Sequence, residues 1–159
     1  MRPATCCGRT PSRWTCCVSA GSRPRPPWRG DEAGAALLEE ALELWLGPAL
    51  GEPGGGTSLA VAAVELEEAR LAAVEELARR RLRLGQPERA VAPLRAIVTA
   101  APHHERLVSL LMTAFFRVGR QAEALELYER TRRLLADQLG VSPGRELQAT
   151  FESVLTARV

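Results

Sequence analysis

Few residues in this sequence have the type and spacing that metal or cofactor chemistry requires. The four cysteines form two adjacent pairs, Cys6-Cys7 and Cys16-Cys17, and the two histidines are the neighbours His103 and His104. Zinc sites usually take ligands from C-x2-C pairs or from Cys combined with His, and neither arrangement occurs here. Adjacent histidines on a helix point about 100° apart and cannot face one metal ion. We therefore predict no metal site and no cofactor, with both histidines solvent-exposed in the first turn of a helix.

The sequence also lacks the motifs of common enzyme classes. No Ser, His and Asp set stands in a recognisable context, and HExxH does not occur. The Gly-rich stretch at 51–56 lacks the Lys-Ser/Thr pair of a phosphate-binding loop. We predict no catalytic residue and a protein that is not an enzyme.

Arginine offers the remaining chemistry, in two runs that could contact phosphates or an acidic partner. The runs are Arg79-Arg80-Arg81 with Arg83, and Arg130 with Arg132-Arg133. The candidate contact residues are Arg79, Arg80, Arg83, Arg130 and Arg133. They lie toward the C-terminal parts of predicted helices, where positive charge is favoured by roughly 0.3 to 1 kcal/mol per group. This structural role is the alternative to a contact surface, and the sequence favours it.

The charge is uneven along the chain. All 21 basic residues are Arg, and Lys and Asn are absent, which is the usage of a very GC-rich genome. Residues 1–30 carry six Arg and no acid, whereas residues 31–159 carry a net charge of minus 4. No apolar run approaches the roughly 20 residues of a membrane span, and the N-terminus lacks the apolar segment of a secretory signal. The sequence predicts a cytoplasmic protein without a membrane partner.

The first 30 residues differ from the rest. They hold all four cysteines among Arg, Pro, Ser and Gly, without a periodic apolar pattern. Such a composition is typical of a disordered tail. It also fits GC-rich DNA translated out of frame, so a mis-called start or a frameshift is the alternative. We predict a tail over 1–30 and one folded domain over 31–159.

From Asp31 onward, apolar residues recur at helical spacing and no stretch alternates with period two. We predict six helices, at about 32–46, 57–84, 87–101, 103–118, 121–139 and 143 onward. Asp31 is predicted to cap the first helix, with Glu39, Glu40 and Glu43 outward, and Gly47-Pro48 to end it. Apolar positions predicted to face inward include Leu66, Ala69, Ala73 and Leu77 with Leu71, Val74, Ala78 and Leu82 in the second helix, Val91, Leu94, Val98 and Ala101 in the third, Leu125, Tyr128, Leu135 and Leu139 in the fifth, and Leu147, Phe151 and Val154 in the sixth.

A shift of 34 residues superposes part of the sequence on itself. Val74 falls on Val108, Leu77 on Leu111 and Gly85 on Gly119, and Ala90 falls on Ala124. This is the tetratricopeptide period, in which small residues at and after the turn let two antiparallel helices approach closely. The repeat predicts an all-α, tetratricopeptide-like right-handed superhelix of about six helices, cut off at its N-terminal side.

Five segments give the chain a resemblance to a known family. They are ALELWLGPAL (41–50), LEEARLAAVEEL (66–77), LRLGQ (82–86), PHHERLVSLLMTAFFRVGRQAEALELYERTRRLL (102–135) and LGVSPGREL (139–147). In this combination they resemble the bacterial transcriptional activator domain of SARP-type (antibiotic regulatory protein) regulators. The structural motif residues are Trp45, Gly47, Pro48, Leu71, Gly85, Ala90, Pro102, Gly119, Ala124, Leu139, Gly140, Pro143 and Gly144.

The resemblance implies a transcription regulator that works through protein contacts. Family members usually carry a winged helix-turn-helix domain before this one, and the pair binds promoter repeats and recruits RNA polymerase. That domain has no counterpart in this sequence, so the resemblance implies DNA contact only through a separate domain or partner. RNA polymerase, the family's own winged-helix domain and a second copy of the chain are the implied partners. A tetratricopeptide adaptor unconnected with transcription is the rival hypothesis, and a fragment without activity is the third.

Overall fold

The computed structural model describes residues 30–45, 47 and 57–156, and this part of the chain is all-helical. Its six α-helices are α1 (Asp31–Glu43), α2 (Thr57–Arg83), α3 (Pro87–Ala100), α4 (Glu105–Arg117), α5 (Gln121–Leu139) and α6 (Arg145–Leu155). The predicted fold class and the number of helices are confirmed. Predictions for residues 1–29, for Pro48 and for the Gly-rich stretch lie outside the described residues.

Each helix packs against the next one along the chain, and α4 also contacts α2 and α6. Contacts between near neighbours in sequence are characteristic of helical solenoids. The central helix α4 is the most buried, with Leu107, Val108, Leu111 and Phe115 all in the main core. The core therefore runs through α4, and α2, α3, α5 and α6 surround it.

The turns after α2 and α4 repeat each other. Gly85 and Gly119 adopt left-handed φ angles of 68° and 80°. The amide of the next residue donates a hydrogen bond across each turn, from Gln86 to the Arg81 carbonyl and from Arg120 to the Phe115 carbonyl, both at 2.8 Å. This is the Schellman pattern of a glycine-terminated helix, and it recurs at the 34-residue spacing.

Small residues follow both turns. Ala90 and Ala124 are fully buried, at the starts of α3 and α5. A larger side chain at either position would push the two antiparallel helices apart. Leu71 of α2 and Pro102, which follows α3, are half-buried.

The segment between α5 and α6 contacts the start of α4 and so positions α6 beside that helix. Gly140 ends α5 with a left-handed φ of 66°, and Pro143 is buried. The Gly144 amide donates a 2.6 Å hydrogen bond to the Glu105 carboxylate. A Cβ at Gly144 would lie 3.1 Å from that carboxylate, which explains why a glycine suits the position. Tyr128 and Phe151 then stack at 4.0 Å between ring centroids and hold α5 against α6.

Helix α1 differs from its prediction at both ends. Its N-cap is Gly30, and Asp31 makes no capping hydrogen bond because Arg83 takes its carboxylate. The helix ends at Glu43, before the predicted bound of about 46, so Gly47 does not terminate it, and the prediction for Pro48 lies outside the described residues. Leu44, the residue after the helix, is 82% exposed. Trp45 follows the helix, with the Arg70 guanidinium 5.3 Å from the centre of its ring.

Three positions predicted to face inward are exposed. Leu139 is 58% exposed because α5, with 19 residues, is longer than the 13-residue α4 against which it packs. Leu66 and Ala69 are exposed for the same reason, since the 27-residue α2 extends beyond both neighbours. Sequence periodicity does not report where the neighbouring helix ends. No helix in the described part of the chain combines the length and apolar composition of a membrane span.

Candidate protein-contact surfaces

A groove of about 370 Å³ lies between α3 and α5, with α4 beneath it. Its lining residues are Arg95, Val98, Thr99, Leu111, Phe115, Glu123, Glu126, Leu127 and Arg130. The aliphatic and aromatic members are buried core residues, whereas the charged ones stand at the edges. An apolar floor with a few charged groups around it suits a peptide side chain better than a reaction.

The carboxylate of Glu123, on α5, binds two arginines at one end of this groove. Glu123 accepts hydrogen bonds from Arg120 at 2.5 and 2.6 Å and from Arg95 at 3.0 Å. The hydrogen bonds from Arg120, and then the positive charges of Arg120 and Arg95, lower the pKa of Glu123 below its ordinary value. Both guanidinium groups lie over the Phe115 ring, at 4.8 Å for Arg120 and 5.3 Å for Arg95. Glu123 therefore stays ionised and holds two cations against one aromatic ring.

The second predicted arginine run lies on α5. Arg130 is exposed at the edge of the groove, and Arg133, one turn further along, is exposed outside it. Within the described part of the chain, neither side chain forms an ion pair. Arg130 is thus the one candidate contact residue from the sequence that lines the groove.

The arginines of the first predicted run form ion pairs with acidic side chains of the same chain. Arg79 pairs with Glu75, one turn earlier in α2. The Arg80 guanidinium lies 2.7 Å from Glu76 and 3.5 Å from Asp31 of α1. Arg83 donates two hydrogen bonds to Asp31, at 3.0 and 2.7 Å. These bonds lower the pKa of Asp31, with a further contribution from the charges of Arg83 and Arg80.

The arginine between them, Arg81, belongs to the same predicted run and is fully buried. It donates to both oxygens of Glu39, at 3.0 and 2.7 Å, to Glu32 at 3.1 Å and to the Gln86 side chain at 2.6 Å. The hydrogen bonds to Glu39, followed by the one to Glu32, raise the pKa of Arg81 above its ordinary value despite burial. The prediction that Glu39 faces outward is therefore wrong, because its carboxylate binds Arg81.

The sequence carries little signal for this cluster. Glu39 and Glu32 lie 42 and 49 positions before Arg81, so no local spacing relates them. The only indication is that α1 is acidic and the end of α2 is basic.

His103 and His104 are exposed, as predicted, but they precede α4 and do not belong to its first turn. The described residues contain no group of three or more His, Cys, Asp or Glu side chains that could hold a metal ion. The cysteines lie outside the described residues.

The repeat, the glycine turns and the α5–α6 segment all lie within one match to a known family. The sequence model of the bacterial transcriptional activator domain matches residues 20–155. The chain belongs to this family. The activator domain here is of the SARP type, since it is 41% identical over 140 residues to the transcriptional regulator RedD of Streptomyces coelicolor. It is also 46% identical over 122 residues to the regulatory protein AfsR of that organism, and 35% identical over 130 residues to DnrI of Streptomyces peucetius.

These relatives are longer proteins. The matches cover 87%, 76% and 81% of this activator domain chain but 39%, 12% and 48% of RedD, AfsR and DnrI. A solved structure of Mycobacterium tuberculosis EmbR, in complex with a low affinity phosphopeptide, superposes with a TM-score of 0.74 at 31% identity. It covers 81% of this chain and 34% of EmbR. The relatives are transcriptional regulators, which favours regulation over the adaptor hypothesis and over an enzyme.

Proposed function

We propose that this activator domain is a non-catalytic protein-contact module that acts on transcription in the cytoplasm beside a DNA-binding domain or partner. The observation that supports the proposal is the groove between α3 and α5, where Arg130 stands at the edge of the apolar floor and forms no ion pair with the described residues. A groove of this kind can bind a side chain of RNA polymerase or of another regulator subunit.

The charge of the domain favours protein contact over direct DNA reading. Residues 31–159 carry a net charge of minus 4, which opposes long-range attraction to a polyanion. Three of the predicted contact arginines, Arg79, Arg80 and Arg83, are already paired with carboxylates. Sequence-specific reading also requires an element that enters a groove of DNA, and DNA contact is therefore assigned to a separate domain.

An activation assay tests this proposal. The full chain is fused to an unrelated DNA-binding domain that does not activate by itself, and a reporter gene carries the matching operator in a Streptomyces host. We expect the fusion to raise reporter expression and Arg130→Glu to reduce that rise by about tenfold, the loss expected when a charged contact is reversed. Arg133→Glu is the matched control, because it makes the same change on the same helix outside the groove.

Two outcomes count against the proposal. A fusion that activates no better than the DNA-binding domain alone would favour a fragment without activity. Equal losses for Arg130→Glu and Arg133→Glu would remove the groove as the contact site. Western blotting of the fusions excludes unequal protein levels as the cause of either result.

A further inference from the structure

Helix α1 is attached to the rest of the fold by apolar packing and by charge. Gly34 and Ala35 are buried and Leu42 packs against the main core cluster, whereas Leu37 is 45% exposed. Its acidic side chains reach four arginines on the end of α2 and the start of α3. We name Arg80, Arg81, Arg83 and Arg89 the arginine cradle.

The cradle fits the acids of α1 with directional bonds. Asp31 and Glu39 each accept two hydrogen bonds from one guanidinium, those of Arg83 and Arg81. Glu39 also accepts a 2.9 Å bond from Arg89, and Glu32 accepts one from Arg81. Paired guanidinium and carboxylate bonds of this type select carboxylates by shape as well as by charge.

The surface beneath α1 also selects for small residues. A Cβ on Gly34 would lie 2.8 Å from the central carbon of the Arg80 guanidinium, so a larger residue there would displace the end of the Arg80 side chain. Leu77 of α2 is 2% exposed and lies outside the main core cluster. It lines a cleft of about 360 Å³ together with Leu42 and Glu39 of α1. The complete surface therefore accepts a helix with acids on one edge, small residues at its contact and leucine beside them.

We propose that the arginine cradle is a docking site for an acidic amphipathic helix of a protein partner, and that α1 occupies it until the partner displaces it. The occupant seen in the structure defines the chemistry of the partner. Phosphates could pair with the arginines, but a nucleic acid backbone offers neither the small residues nor the leucine. This surface is separate from the groove between α3 and α5, so the inference does not depend on Arg130.

Displacement can begin at the start of α1, where the acids face solvent, although the Arg81 guanidinium that they reach is buried. The side chains of Asp31 and Glu32 are 34% and 59% exposed. Exposed ion pairs are weakened by salt, whereas the apolar contacts of α4 are not. The apparent affinity of a competing helix is proportional to the fraction of molecules in which α1 is released, so weakening the attachment of α1 raises that affinity.

A binding experiment with the full chain tests the proposal. The probe is a fluorescent peptide with the sequence of residues 30–45, and its anisotropy is followed as wild type or variant is added. Glu32→Gln with Glu39→Gln weakens the chain's own α1, and we expect this variant to bind the probe at least about tenfold more tightly than wild type. Glu40→Gln with Glu43→Gln is the matched control, since both acids are exposed on α1 and make no ion pair with described residues. It should bind like wild type.

The cradle itself is tested on the weakened variant. Adding Arg83→Ala and Arg89→Ala to the weakened variant should reduce its affinity for the probe by about tenfold or more. A probe with Gln at positions 32 and 39 should bind the weakened variant with a similarly reduced affinity. Equal affinities of wild type and the weakened variant would overturn the proposal. A DNA duplex that displaces the probe at about 150 mM salt would assign the surface to phosphates and would also overturn it. A wild-type dimer that the probe dissociates would assign the surface to a second copy of the chain and would overturn the proposal as well.

Hydrogen exchange gives a second measurement that needs no variant. In the wild-type chain we expect the amides of α1 to exchange faster as salt rises from about 50 to 500 mM, while those of α4 stay unchanged. Slow exchange of α1 at every salt concentration, equal to that of α4, would contradict a releasable helix.

Discussion

Leu111 is the position at which the repeat makes its sharpest energetic prediction. It lies in α4, 2% exposed, and it forms part of the floor of the groove between α3 and α5. Truncating a buried Leu to Ala costs roughly 2 to 5 kcal/mol, and the cost grows with the cavity that remains. Because this site borders an open groove, water and neighbouring side chains can fill part of the cavity. We therefore expect Leu111→Ala to lower the free energy of unfolding by about 2 to 3 kcal/mol.

Urea unfolding followed by circular dichroism measures this loss. With a slope of roughly 1 to 3 kcal/mol per molar, the midpoint should fall by about 0.7 to 3 M. Leu139→Ala is the matched control, since it removes the same atoms from a helical leucine that is 58% exposed. It should change the free energy of unfolding by no more than about 0.5 kcal/mol. If the two variants unfold at the same midpoint, the assignment of Leu111 to the core is wrong, and with it the 34-residue alignment on Leu77.

Three further predictions concern the N-terminal segment, DNA and pH. A chain that starts at Asp31 should keep the helical signal and melting temperature of the full chain, because residues 1–30 offer no periodic apolar face. A lower melting temperature would extend the folded unit toward residue 20, where the family match begins. The chain alone should show no preference for a direct-repeat promoter over scrambled DNA in a gel shift at about 150 mM salt, because its body is acidic. A clear preference would place a DNA-reading surface on the helices. The pKa values of Asp31 and Glu123 are lowered in the folded state, so their stabilisation is complete above the ordinary carboxyl pKa of about 4 and is lost as pH falls further. The urea midpoint should fall as the pH is lowered from about 6 to 2, and it should fall less steeply in Asp31→Asn and in Glu123→Gln. If either variant showed the same pH dependence as wild type, the ion pairs of that carboxylate would not stabilise the fold.

Local chemistry accounts for the features that the sequence alone predicted. A glycine in the left-handed conformation ends a helix through hydrogen bonds within its own turn, so Gly85, Gly119 and Gly140 marked three helix ends correctly. Pro87 could be placed at the start of α3 because its missing amide costs nothing there. The stripe positions Leu94, Val98 and Leu147 are buried because helical periodicity decides which face is apolar.

Residues distant in sequence decided the rest. Asp31 was predicted as a cap, a role that depends on its own backbone, but the Arg83 guanidinium from the end of α2 takes its carboxylate. Glu39 looked like a solvent-facing acid because its partner Arg81 is 42 positions away. The burial of Leu139 depended on how far α5 extends beyond α4, which periodicity does not encode. The sequence alone determined where helices form and which of their faces are apolar, since both follow from bonds and contacts within a few residues. Only the tertiary structure decided which charges meet and where the packing ends, because those contacts exist only once helices far apart in the chain lie side by side.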